Sequence, residues 1–254
     1  MFGKIPSSLT AKEELIRTLR GNWRKESTSA PSLLTKSCHD IDFLLWLLAA
    51  PPPNSNNPPH FPSTLSSTGS LVHFKRSKKP ELAGTATNCL SCPMEPSCQY
   101  SAKKIYIESS LLGGNTGWPL NVVVPDIEDH LGRGMEQAKK IVLDRLADDY
   151  TANSDQKVID ARGWYGRCVW EADNDVCDDQ IVTITWEDDF LPDGNSTEGS
   201  RRGRGAKTAV FHMIAFTDEI STRRTRVYGT RGELVTDGKI MRVRRLLLNT
   251  FRSI

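Results

Sequence analysis

The chain has 254 residues, of which 38% are hydrophobic and 25% charged, a composition that predicts a folded globular protein with a hydrophobic core. Its 33 basic and 31 acidic residues leave a formal net charge of +2, which argues against strong binding to nucleic acid or to an anionic membrane. The longest apolar run, residues 43–50, is too short to span a bilayer, and residues 1–6 lack the apolar region of a secretory signal. We therefore expect a cytoplasmic protein.

The first half of the chain is predicted to be mainly helical. Thr10 followed by Glu13 forms a capping-box pattern at the start of a short basic helix. Residues 51–62 contain six prolines and three asparagines, which favours an exposed loop. The other elements predicted here are a helix over 39–49, a strand over 69–74, a helix over 102–112 and one amphipathic helix over 126–149.

The second half of the chain changes to short alternating segments separated by turns. Residues 188–206 are rich in Gly, Ser, Asp and Arg and are predicted to form a long exposed loop, and Asp237-Gly238 is a strong hairpin signal. Because no helix is predicted between these strands, they should pair antiparallel, and the chain is expected to be an α+β protein. The predicted strands cover residues 167–171, 180–186, 208–216, 223–228, 233–236 and 239–245.

A cysteine cluster is the first candidate site. Cys89, Cys92 and Cys98 follow a Cys-x2-Cys-x5-Cys spacing that is typical of a zinc knuckle. A tetrahedral zinc ion needs a fourth ligand, for which His73 on the preceding predicted strand is the candidate. The alternative is a tight loop of thiols that bind no metal, and the spacing alone leaves both interpretations open.

A histidine and two carboxylates at the start of the helix predicted over 39–49 form the second candidate site. His39, Asp40 and Asp42 would stand on the first turn of a rigid helix, where acid–base groups are often mounted. The alternative is a structural helix cap, because the helix dipole favours carboxylates at this end.

Five segments taken together resemble the C-terminal domain of the Gfo/Idh/MocA oxidoreductases, the group of glucose–fructose oxidoreductase and inositol dehydrogenase. The resemblance implies a large open, mainly antiparallel sheet with helices packed on one face, which forms the substrate side and a homo-oligomer interface. It divides the chain into an unassigned N-terminal segment, 1–19, and one domain, 20–254. The five segments are residues 20–48, 88–93, 101–106, 165–176 and 226–234.

The resemblance also implies hydride transfer between NAD or NADP and a sugar, polyol or related alcohol/carbonyl pair. His39 matches the family's catalytic histidine and would move the proton of the substrate hydroxyl. Many members carry an aspartate four residues earlier, where this chain has Thr35. Lys36 is therefore expected to substitute electrostatically, and Asp42 to have a structural or orienting role.

The cofactor side of such an enzyme is expected to be missing from this chain. The family binds its dinucleotide in an N-terminal Rossmann domain, and a βαβ unit alone needs about 30 residues, more than precede the resemblance. Gly132-Arg133-Gly134 imitates a dinucleotide fingerprint, but it lacks the third glycine and a strand directly before it. We therefore expect a substrate and oligomerisation domain that is inactive alone. The alternative is a non-catalytic binding or scaffolding protein that oligomerises through its open sheet.

Overall fold

The computed structural model describes residues 24–29, 32–35, 37–51, 56–190, 203–217 and 223–245. Contacts divide them into two compact units, one that ends at residue 216 and one that contains the strands beyond it. Helices dominate the first half and antiparallel strands the second, which confirms the predicted α+β class. The basic helix predicted after Thr10 lies outside the described residues.

A three-stranded antiparallel sheet organises the larger unit, with β2 in the centre, β1 on one side and β5 on the other. In this register Thr183 of β2 lies between Ser66 of β1 and Val210 of β5. The sheet is open, as predicted, but three strands make it smaller than expected. The strands of this unit are β1 (Thr64–Ser70), β2 (Asp179–Trp186), the short pair β3 (Asp189–Phe190) and β4 (Gly203–Arg204), and β5 (Lys207–Ile214).

Among the described residues, three helices precede β1, and the third packs on the sheet. They are α1 (Glu26–Ser29), α2 (Ser32–Thr35) and α3 (Cys38–Ala49), the last of which confirms the helix predicted over 39–49. Leu45 and Leu48 of α3 contact a small core on one face of the sheet. That core consists of Val182, Ile184, Trp186 and Ala209.

The segment after α3 was predicted to be an exposed loop, and its described part is tied down at one point. His60 is buried. Its backbone N–H donates to the carbonyl of Ala49 at 2.8 Å, and its backbone carbonyl accepts the indole N–H of Trp186 at 2.8 Å. The prediction was wrong at His60, because a single buried tryptophan supplies the donor that fixes this turn.

The middle of the chain is mainly helical, and its helices pack around the largest hydrophobic core. The predicted helix over 102–112 is observed as a π-helix, Lys104–Leu111. The single helix predicted over 126–149 is wrong, because Gly134 has a φ of +117° and separates two helices. The α-helices of this layer are α4 (Leu120–Val123), α5 (Ile127–Gly132), α6 (Met135–Leu146) and α7 (Gln156–Asp160).

Two predicted strands are replaced by irregular structure. The strand expected over 69–74 ends at Ser70, because the carboxylate of the fully buried Asp178 accepts the next backbone N–H groups. The strand expected over 167–171 is reduced to a single antiparallel bridge between Arg167 and Asn88. In the first place, a side chain distant in sequence sets the backbone conformation; in the second, a backbone bridge to a distant segment does.

The smaller unit is an antiparallel meander of β6 (Thr225–Gly229), β7 (Gly232–Thr236) and β8 (Met241–Arg245). The predicted Asp237-Gly238 hairpin is confirmed between β7 and β8. The Asp237 carboxylate accepts the N–H groups of Lys239 and Ile240 at 2.8 Å, and Gly238 has a φ of +85°. Within the described ranges, no helix has both the length and the apolar character needed to cross a bilayer.

Candidate functional site

The histidine cluster stands at the N-terminal end of α3. His39 lies on the first turn and Asp42 one turn later, and both side chains are exposed. Neither forms a hydrogen bond or ion pair with another residue of the described ranges. Lys36 lies outside those ranges. The structure therefore brings His39 and Asp42 to one end of an anchored helix, where an imidazole can exchange protons with solvent or with a bound molecule.

Helix α3 is a rigid mount because both apolar and polar contacts hold it. Leu45 and Leu48 pack on the sheet, and the Nζ of Lys207 donates to the carbonyl of Leu48. Burial lowers the pKa of the Lys207 ammonium, and the positive charge of Arg204 adds to the effect. Ser37, at the N-cap position of α3, makes no side-chain capping hydrogen bond, whereas Asp40 lies in the first turn, where the helix dipole favours a carboxylate.

The opposite face of the sheet carries no helix among the described residues of this unit. Side chains alternate along a strand, so residues next to the buried Val182 and Ile184 point away from the core. We call this surface the outer face. Val210 and Ile181 on it are 64% and 41% exposed, which leaves apolar area uncovered. The outer face consists of Thr64, Ser66, Thr68, Ser70, Asp179, Ile181, Thr183, Thr185, Thr208, Val210, His212 and Ile214.

The cysteine cluster surrounds a small cavity of about 10 Å³. Cys89, Cys92 and Cys98 all line it, as the sequence spacing predicts, and Cys168 is a fourth cysteine in its wall. All six cysteines of the chain carry thiols rather than disulfides. The other lining residues are Ala83, Met94, Glu95, Val169 and Trp170.

The sequence did not identify Cys168 as a member of the cysteine cluster, because Cys168 follows no characteristic spacing from the other cysteines. An antiparallel bridge joins Asn88 to Arg167, so that the N–H of Cys89 donates to Gly166 at 2.8 Å and the N–H of Cys168 donates to Thr87 at 2.7 Å. The two cysteines thus follow paired residues on adjacent segments. A strand predicted over 167–171 suggested an extended backbone there but gave no indication of its partner.

His73 was predicted as the fourth zinc ligand, and it does not line the cysteine cavity. Its Nε2 lies 3.3 Å from the hydroxyl of Tyr100, and its ring stacks on Phe216 with a centroid distance of 5.3 Å. Burial lowers the pKa of His73, although the negative charge of Asp178 opposes this. The environment therefore favours a neutral imidazole within an aromatic core.

Glu95 is the acidic residue in the cavity wall, and its charge is already balanced. Burial alone would raise the pKa of its carboxyl, but hydrogen bonds from Lys103 and Ser101 outweigh burial and hold the pKa below its ordinary value. Lys103 Nζ lies 2.6 Å from the carboxylate. Glu95 is therefore ionised at neutral pH and engaged away from the sulfurs. Among the described residues, no three His, Cys, Asp or Glu side chains already stand at metal-coordination spacing.

A buried polar network includes Arg167, one of the two residues of the Asn88–Arg167 bridge. This network was not predicted from the sequence. Arg24, 1% exposed, donates to Asp173 at 2.8 Å and to the carbonyl of Ile159 at 2.6 Å. Arg167 donates to Tyr150 O at 2.8 Å and lies 3.5 Å above the Tyr150 ring. Burial raises the pKa of Tyr150 to about 12, so the phenol stays protonated. These groups satisfy one another, which is typical of a structural network.

Lys79, which precedes Pro80, has structural partners. Lys79 Nζ is 9% exposed, lies 3.0 Å from Glu171 and donates to the carbonyl of Ala86 at 2.7 Å. No protein-family model, curated protein or solved structure matches this chain. The candidate site must therefore be interpreted from its own geometry.

Proposed function

We propose that this chain is the substrate and oligomerisation domain of an NAD(P)-dependent oxidoreductase of the Gfo/Idh/MocA type, acting on a sugar, polyol or related alcohol/carbonyl pair. The observation that carries the proposal is an exposed histidine, His39, on the first turn of a helix that is packed on an open sheet. In this role His39 moves the hydroxyl proton of the substrate while hydride passes to the nicotinamide.

In this role the chain supplies no cofactor site, and NAD or NADP is bound by a separate nucleotide-binding domain, as in the family that the chain resembles. Gly132 ends helix α5 and Gly134 lies between α5 and α6, whereas a pyrophosphate site requires a strand directly before the glycines. NAD or NADP thus supplies the hydride acceptor, while this chain orients the substrate and holds its proton. The six thiols are consistent with a reducing compartment, which supports a cytoplasmic location.

Nucleotide titration and a fusion protein test this division of labour. We expect no micromolar binding of NADH or NADPH, measured by nicotinamide fluorescence, to the 254-residue chain. Residues 20–254 fused behind the nucleotide-binding domain of an inositol dehydrogenase should oxidise polyols. His39→Ala in that fusion should lower kcat by about 10²–10⁴-fold, the usual contribution of a general acid–base group.

The matched control is His212→Ala. This variant removes a second exposed histidine, which lies on the outer face and not in α3. It should leave kcat unchanged. Tight nucleotide binding by the chain alone would contradict the proposed separation of cofactor and substrate sites, and equal activity of the fusion with and without His39 would remove the histidine from the mechanism.

The second candidate function is a non-catalytic binding or scaffolding protein that oligomerises through its open sheet. Two observations favour it: Thr35 stands where an acidic partner of His39 is expected, and the outer face leaves Val210 and Ile181 exposed. β-branched residues on one sheet surface pack well against a second such surface.

Both candidates predict a homo-oligomer that Val210→Lys disrupts. A lysine at this position, opposite Thr183 in the register, would place a charge in the centre of the outer face. Light scattering coupled to size exclusion should give a dimer or larger for the parent chain and a shift towards the monomer for the variant. Leu82→Lys is the control, because Leu82 is 76% exposed in a turn away from the sheet. A parent chain that stays monomeric at high concentration would contradict sheet-mediated assembly.

A further inference from the structure

Four cysteines line one small cavity, and we propose that they bind a single zinc ion as a tetrahedral four-thiolate site. The ligands are Cys89, Cys92, Cys98 and Cys168. Cys168 takes the fourth position, for which His73 was the sequence-based candidate. The proposal is independent of any oxidoreductase role, since it concerns other side chains in another part of the larger unit.

The first three ligands sit on two short turns. Cys89 begins one 3₁₀ turn and Cys92 ends it, with the N–H of Cys92 donating to the carbonyl of Cys89 at 3.3 Å. Cys98 ends a second 3₁₀ turn, and its N–H donates to Met94 and Glu95 at 3.0 and 3.1 Å. A Cys-x2-Cys turn followed by a third cysteine is the arrangement with which zinc knuckles present their sulfurs.

The fourth ligand is held against this turn by the backbone. The bridge between Asn88 and Arg167 places Gly166 opposite Cys89 and Thr87 opposite Cys168, so that the two cysteines are diagonal neighbours across the bridge. The Asn88 side chain donates to the carbonyl of Leu146 at 2.8 Å. The backbone of Gly166 lies close to the backbone of Leu146. Only glycine fits there, because a Cβ at residue 166 would lie 1.7 Å from the carbonyl oxygen of Leu146. Cys168 is therefore positioned by a rigid element, as a ligand of a specific metal site must be.

The size of the cavity selects a single ion. Its volume of about 10 Å³ is that of roughly one water-sized sphere, too small for an organic cofactor or a metal cluster. Three of the four sulfur residues are buried, and Cys92 is partly exposed and gives a route of entry. A closed set of four sulfur ligands in such a space is typical of structural zinc.

Two N–H donors at the cavity suit thiolates better than thiols. The backbone N–H of Tyr100 donates to the sulfur of Cys98 at 3.3 Å. Trp170 lines the cavity and is 6% exposed, and its indole nitrogen has no hydrogen-bond partner in the described part of the chain. An indole N–H can only donate, and a zinc-bound thiolate is an acceptor that would satisfy it. Donors of this kind stabilise ligated sulfur in metal sites.

The other polar groups of the region have different partners. Glu95 is engaged by Lys103 and Ser101, and His73 faces the hydroxyl of Tyr100. The four thiols are thus the donor set that the cavity offers. Binding one Zn²⁺ releases four protons and transfers no electrons, and it requires the cysteine side chains to rotate inward to coordination distance.

Metal analysis of the full chain tests the proposal. Protein loaded with zinc(II) and then desalted should contain one equivalent per chain. Cys168→Ser should weaken zinc binding at least about 100-fold, more than the loss of an outer-shell partner. Titration with cobalt(II) should give the thiolate-to-metal charge-transfer absorption of four sulfurs, and the intensity of that absorption should fall by about a quarter in Cys168→Ser.

Cys38→Ser is the matched control, because Cys38 lies in α3 and not in the cavity wall. It should bind zinc as the parent does, and so should His73→Gln. Zinc below about a tenth of an equivalent, unchanged affinity in Cys168→Ser, or loss of zinc only in His73→Gln would each overturn the four-thiolate site. Iron with labile sulfide in place of zinc would overturn it as well. If Cys168→Ser fails to fold, zinc content and cobalt spectra of the parent chain still decide the outcome.

Discussion

Gly166→Ala is expected to destabilise the larger unit by more than about 3 kcal/mol or to prevent its folding. The new methyl group would lie 1.7 Å from the carbonyl oxygen of Leu146 and 2.6 Å from its carbonyl carbon. Both are backbone atoms, which cannot move aside as a flexible side chain can. The carbonyl of Gly166 also accepts the N–H of Cys89, so any displacement would open the bridge between the two segments. Urea unfolding monitored by tryptophan fluorescence measures the effect.

The control for this substitution is Gly132→Ala at the end of α5. A Cβ at Gly132 would meet nothing within 4 Å, and alanine is the better helix former. The free energy of unfolding should stay the same or rise by about 0.5–1 kcal/mol. If Gly166→Ala lowered the free energy of unfolding by less than about 1 kcal/mol, the close approach of residues 146 and 166 would be wrong.

Asp178→Ala is expected to cost about 3–5 kcal/mol of folding free energy. The Asp178 carboxylate is fully buried and accepts three consecutive N–H groups, from Val72 at 2.5 Å and from His73 and Phe74 at 2.8 Å. Alanine would leave these donors without an acceptor. Since the same turn delivers Phe74 to the main core, the loss should reach the packing of that core. Thermal unfolding followed by circular dichroism measures it.

The neighbouring variant Asp179→Ala separates this effect from a general loss of negative charge. Asp179 pairs with His212 at 2.9 Å on the outer face, where both side chains are about a third or more exposed. A pair of this kind contributes about 0–1 kcal/mol. Equal destabilisation by the two variants would show that the three N–H contacts of Asp178 do not carry its contribution.

Elements with a strong local period were predictable. The helix at 38–49 and the strands 179–186 and 207–214 follow apolar patterns, and the hairpin at Asp237-Gly238 follows turn chemistry. These features depend on residues close in sequence. The α+β class follows from their order along the chain.

The two failures have different causes. Residues 71–74 alternate like a strand, but a carboxylate more than 100 residues later accepts the N–H groups of residues 72–74. The helix expected over 126–149 breaks where Gly134 adopts a positive φ. The first failure depends on a distant contact and the second on a local glycine, and each overrides the periodic pattern.

The candidate sites divide in the same way. Cys89, Cys92 and Cys98 were identifiable from spacing, because one loop contains them all. Cys168 depends on a bridge between distant segments, and a one-dimensional spacing cannot indicate its role. The role of His39 came from resemblance, and the position of the helix that carries it was predictable from periodicity.

The bridge between Asn88 and Arg167 also sets an order of events during synthesis. Ribosomes add about 5–20 residues per second, so roughly 4–16 seconds separate the appearance of Cys89 from that of Cys168 about 80 residues later. During that interval the emerging chain displays three thiols without the segment that encloses them. Until residues 166–168 have been synthesised and cover this loop, other components of the cell must protect its thiols from oxidants and from competing metals.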